Sequence, residues 1–165
     1  MKWYLSRVVA LMVAMAGSTS WAQPIKTGAV GTWSLISYVS TSADGGKQEN
    51  FGPSPIGMAN FDDRGNFMIS IVRSDLPKFA TGNREKGTAE ENGSVVRGSI
   101  AYFGTYTVAE RDNELILKIM GATLPNWIGT TQRRGALMSS PDELTLVNSI
   151  ASGGGSAEIK WKRQS

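Results

Sequence analysis

After Ala29 the chain breaks into short runs of strand composition, divided at near-regular intervals by Gly, Pro, Asn and Asp, and few folds accept such a pattern. The runs fall near Gly31–Thr41, Ile56–Phe61, Asn66–Arg73, Ser99–Val108, Glu114–Met120, Thr130–Met138, Glu143–Ser149 and Ala157–Lys162. Asp62-Asp63-Arg64-Gly65 reads as a tight hairpin, and Arg111-Asp112-Asn113, Ser140-Pro141-Asp142 and Ser152-Gly153-Gly154-Gly155 as further turns. Strands joined this way form an antiparallel meander, whose exposed edges vanish when the sheet closes on itself. The expected fold is all-β: an eight-stranded antiparallel up-and-down barrel spanning residues 30–165. Its interior has room for one small ligand or for its own side chains.

Two connections are longer, Ser42–Pro55 and Ser74–Gly98. The second holds Thr88 and Glu91 at capping-box spacing, followed by Asn92-Gly93, so a helix of one or two turns is expected there. Asn92-Gly93-Ser94 also matches a glycosylation acceptor.

Residues 1–22 read as a signal peptide: Lys2 and Arg7 precede the apolar run Val8–Ala16, and small Ser20 and Ala22 mark a cleavage site after Ala22. The run is too short for a bilayer, which takes ~20 apolar residues. The protein is therefore expected to be exported, periplasmic or secreted, with no integral membrane anchor after processing. Residues 23–29 read as a linker. Of 17 basic and 14 acidic residues, 15 and 14 remain beyond the leader, and this near-neutral balance argues against a nucleic-acid partner. Lys160, Lys162 and Arg163 are expected at a solvated edge.

The chain has no His and no Cys. Common nucleophile–base pairs, disulfides and ordinary zinc sites therefore drop out, and no metal or cofactor is expected. The acidic residues lie in turns, loops or strand ends. General acid–base catalysis places a titratable group inside the cavity, so the inventory leans away from an enzyme.

Four blocks carry a resemblance: Gly31-Thr32-Trp33-Ser34-Leu35, Arg73-Ser74-Asp75-Leu76-Pro77-Lys78-Phe79-Ala80, Tyr102-Phe103-Gly104-Thr105-Tyr106 and Pro125-Asn126-Trp127-Ile128-Gly129-Thr130-Thr131-Gln132. In order and approximate spacing they resemble the bacterial and fungal lipocalin-like domain family. The resemblance implies a calycin-type barrel with Trp33 and Trp127 closing it, and some fungal relatives look like isomerases or cyclases of terpenoid intermediates. Where family members often carry His or Glu before the Pro-Asn-Trp block, this chain has Leu115-Ile116-Leu117-Lys118-Ile119-Met120.

Alternation suggests the cavity lining. In Ile100–Val108 one face carries Tyr102 and Tyr106, expected inside. Adjacent Arg133 and Arg134 point to opposite faces of a regular strand, so one faces inward. The family pattern implies Arg134, with Gln132 beside it, and Met68 and Ser70 complete the expected lining. A buried guanidinium needs a partner. A ligand carboxylate would serve, and stacking over Trp33 is the structural alternative. The favoured function is binding a small hydrophobic molecule, an acidic one where its head group pairs with Arg134. The alternatives are an isomerase or cyclase of a terpenoid- or polyketide-like substrate, and an interaction module with a filled core.

Overall fold

The computed structural model describes residues 24–150 and 154–165, and the expected leader lies outside them. The strands are β1 (Gly31–Thr41), β2 (Lys47–Gln48), β3 (Ile56–Phe61), β4 (Asn66–Val72), β5 (Ser99–Ala109), β6 (Glu114–Ala122), β7 (Thr131–Ser140), β8 (Glu143–Asn148) and β9 (Ser156–Arg163). All neighbours are antiparallel, and the eight strands other than β2 form the ring. β1 is long because it closes that ring: Gly31–Ser34 pair with β3, while Trp33–Thr41 pair with β9. The two-residue β2, absent from the sequence reading, adds only to the far end of β1.

The tight turns gather at one end. At Asp62–Gly65 the Asp62 carboxylate accepts from the Arg64 and Asn66 amides, and Gly65 takes φ +85° at no steric cost. Residues 24–29, read as a linker, instead pack against this end: Ile25–Gly28 form a single helical turn, α1, and Ile25 and Ala29 are buried. Trp33 is fully buried there, its indole N–H donating to the Ala29 carbonyl at 2.9 Å. The arginine stacked on Trp33 is Arg163, 4.2 Å from the ring centroid, and not Arg134. Arg163 donates to the Gly28, Val30 and Pro141 carbonyls, so it clasps the closed end where the sequence suggested a solvated edge.

The longer connections gather at the opposite end, the mouth. One contains α2 (Ala89–Gly98), nearly three turns where one or two were expected. The capping box forms as read, and Glu91 also accepts from the Ala80 amide, anchoring the preceding loop. These bonds hold the Glu91 carboxyl below its ordinary pKa, the Ala80 amide contributing most. The glycosylation-like Asn92 lies inside this helix, donating to the Gly87 carbonyl.

Between the ends the barrel is packed. Trp33, Trp161, Phe61, Ile69, Leu115, Leu117 and Leu144 are all fully buried. On β4 the bulky set Phe67, Ile69 and Ile71 faces inward, which turns Met68 and Ser70 outward. Met68 is 60% exposed, so neither residue lines the interior. A bulge in β6 opposite Phe103/Gly104 brings two backbones together, and a Cβ on Gly104 would collide with the Lys118 carbonyl.

Candidate functional site

The polar part of the interior lies toward the mouth. β7 pairs with β6 along Thr131–Gly135 but meets β8 only from Gly135↔Val147 onward, so β7 and β8 splay apart above that pair. The two arginines fall on either side of this seam. Arg133 faces out and bonds Glu114 at 2.5 Å; Arg134 faces in and is only 4% exposed. The strand runs regularly through both, which is why side-chain parity separates them.

The Arg134 guanidinium occupies the seam. One terminal nitrogen donates to the Arg133 carbonyl at 2.9 Å, which has no β8 partner, and to Asn148 Oδ1 at 3.2 Å; the other donates to Gln132 Oε1. Its acceptors are all neutral, and among the described residues no Asp or Glu pairs with it. These bonds use three of its five N–H donors. Asn148 Oδ1 also accepts from the Ile150 amide, fixing the far side of the opening.

Two phenols face the same charge. Tyr102 is buried among Phe67 and Trp127, with edge-to-face ring centroids 5.9 and 5.1 Å away. Tyr38 sits edge-on to Phe51 at 4.8 Å. Burial pushes both phenol pKa values up, and the nearby Arg134 charge pulls against that without reversing it. Both are neutral hydrogen-bond donors at neutral pH. A cleft of about 600 Å³ opens at the seam beside Arg134, lined by Trp127, Gln132, Arg134, Asn148 and Ile150 and by the Arg133–Glu114 pair; the two phenols are not part of its wall.

Of the residues anticipated from sequence, Tyr102, Gln132, Arg134 and Trp127 therefore come together. Trp127 lies half-buried in a short 3₁₀ turn at the mouth, while Trp33 closes the other end. Tyr106 faces inward but belongs to that closed end, its hydroxyl donating to the Asp62 carbonyl at 2.8 Å. Tyr38 and Asn148 were missed. Alternation from Leu144 and Leu146 reaches Asn148 directly. Tyr38 was concealed, because counting in twos from Trp33 puts it outside; a bulge between Leu35 and Ser37 pushes Ile36 out and reverses the parity beyond it.

The cleft supplies a fixed cation and two carboxamides, and the two neutral phenols stand near the guanidinium outside its lining. It suits an anionic or strongly polarised oxygen. Among the described residues the buried polar side chains are Ser40, Arg134 and Asn148; the carboxylate in the cleft wall, Glu114, is engaged by Arg133, and no acidic cluster has the makings of a metal site.

Comparison with solved structures finds similarity to a redesigned β-barrel, 17% identical over 86% of this chain and 96% of that one, with a TM-score of 0.45. It also finds a de novo designed fluorescence-activating β-barrel, 15% identical over 86% and 99% of the two chains, at the same TM-score. No curated protein matches. The family model described as lipocalin-like domain matches residues 30–164, the stretch that builds the barrel. The chain belongs to the lipocalin-like domain family.

Proposed function

We propose that this protein binds a small molecule with an acidic head and an apolar body at the mouth of its barrel. The observation that carries the reading is Arg134: a guanidinium almost wholly withdrawn from water, held by neutral acceptors, at the base of a cleft. Desolvating a cation without a counter-charge is costly, and a ligand carboxylate offsets that cost with charge-assisted hydrogen bonds. Gln132 and Asn148 offer their carboxamides to the same head group, and Trp127 and Ile150 flank its apolar part. The packing below Tyr102 confines the ligand to the mouth. The leader read at residues 1–22 makes the protein an exported carrier.

An isomerase or cyclase would draw on the same donors to polarise a carbonyl. It would also need a base; both phenols resist ionisation, and the Glu114 carboxylate in the cleft wall is engaged by Arg133. We therefore favour binding over turnover. The test is to incubate the purified protein with a lipid and metabolite extract and identify retained molecules by native mass spectrometry. Retention of monocarboxylic acids is expected. Retention of neutral or cationic molecules only would overturn the acidic head group, and time-dependent conversion of a retained acid to an isomer, resolved by chromatography, would overturn the carrier reading.

A further inference from the structure

The outside of the barrel has two unlike halves. β3, β4 and β5 contain no charged residue, and their exposed positions include Ile56, Met58, Met68 and Phe103. From β7, β8 and β9 the outer face projects Arg133, Glu143, Glu158, Lys160 and Lys162. Outward charge of this kind keeps a sheet face soluble, and its absence over three consecutive strands marks a face that another surface covers.

The register makes the apolar side chains neighbours. Met68 stands opposite Phe103 on β5, and Phe103 stands opposite Gly121 on β6, with its ring lying where a Gly121 side chain would be. Met120 projects beside it, and Met58 lies one diagonal step from Met68 across β3 and β4. The five side chains Ile56, Met58, Met68, Phe103 and Met120 are 51–61% exposed. At roughly 200 Å² for a fully exposed long apolar residue, they present about 550 Å².

We infer that this face docks a second copy of the chain. Two such faces bury about 1,100 Å² from these side chains alone, above the ~1,000 Å² that separates specific interfaces from chance contacts. The face itself is uncharged: the charges stand at its margin, Lys118 on β6 and Asp63 and Arg64 in the β3–β4 turn, while Glu114 is engaged by Arg133. Two copies related by a twofold axis therefore meet without like-charge opposition. Unbranched methionines adapt to each other's shape, which suits one surface meeting itself.

The test is sedimentation velocity of the purified protein at concentrations up to about 100 µM, where an interface of this size is populated. The expected result is a reversible dimer. Met68→Glu combined with Met120→Glu sets four carboxylates across the interface and should raise the dimer dissociation constant at least about a hundredfold. Both side chains are more than half exposed, so the unfolding midpoint should stay put. Leu137→Glu, equally exposed but on the charged half, should leave the dimer intact. A monomer at every concentration overturns the inference, as does a dimer indifferent to the double substitution or equally sensitive to Leu137→Glu. A monomer that binds phosphatidylcholine vesicles through the same methionines overturns it in favour of a lipid surface.

Discussion

Replacing Arg163 by Ala tests how the closed end is held. The guanidinium lies 4.2 Å from the Trp33 centroid and donates to three backbone carbonyls, Gly28 at 2.6 Å, Val30 at 2.8 Å and Pro141 at 2.9 Å. Those carbonyls belong to the stretch from α1 to the entry of β1 and to the β7–β8 turn, so one side chain on β9 joins two segments far apart in sequence. A hydrogen bond from a charged donor contributes about 1.5–3 kcal/mol, and a partly desolvated cation–π contact about 1 kcal/mol. The contributions are not additive, because the carbonyls regain water when the side chain is removed and Arg163 is partly exposed. A net loss of about 3 kcal/mol is expected, with Arg163→Lys losing about half because an ammonium cannot span the three carbonyls in one plane. Urea unfolding followed by tryptophan fluorescence measures this as a lower midpoint at unchanged m-value. Lys162→Ala, exposed on the same strand, should shift stability by less than about 0.5 kcal/mol. If Arg163→Ala behaves like Lys162→Ala, the clasp does not stabilise the fold and the reasoning fails.

Arg134→Gln should weaken binding of an aromatic or fatty acid by about ten- to a hundredfold while leaving its amide within about twofold, measured by calorimetry; equal acid affinity in the folded variant would reduce Arg134 to a brace for the β7–β8 seam. Trp33→Ala should cost about 3–5 kcal/mol or prevent folding, read from the same urea curves, because the indole is wholly enclosed. Gly104→Ala should cost about 1–3 kcal/mol by forcing β5 and β6 apart at the bulge, and an unchanged unfolding midpoint would show that the strands yield freely. Tyr38, Tyr102 and Tyr106 all have phenol pKa values raised by burial, so the unfolded chain ionises first: their contribution is complete below the ordinary value of 10.0 and is lost as pH rises through the folded values. Absorbance at 295 nm should therefore rise together with loss of the β-sheet circular dichroism signal, and phenolate formation by all three in a still-folded protein would contradict their burial.

Much of the fold is local and so was legible. Strand composition and turn chemistry act over a few residues, and they located all eight barrel strands to within about two residues at most ends, together with the Asp62–Gly65 turn and the Thr88 cap. The parity of Arg133 and Arg134 was equally accessible, because no irregularity interrupts β7 there. Ring closure and packing decided the rest. Which face of β4 turned inward depended on the fit of Phe67, Ile69 and Ile71 against β3 and β5, and so moved Met68 and Ser70 outside. A bulge in β1 brought Tyr38 into the site, and the splaying of β7 from β8 left the Arg133 carbonyl that Arg134 satisfies. Arg163 and Trp33 lie 130 residues apart, and only the pairing of β1 with β9 places them in contact. Period and propensity fix each strand along its own length, but register shifts and barrel closure determine which side chains from different strands share one space.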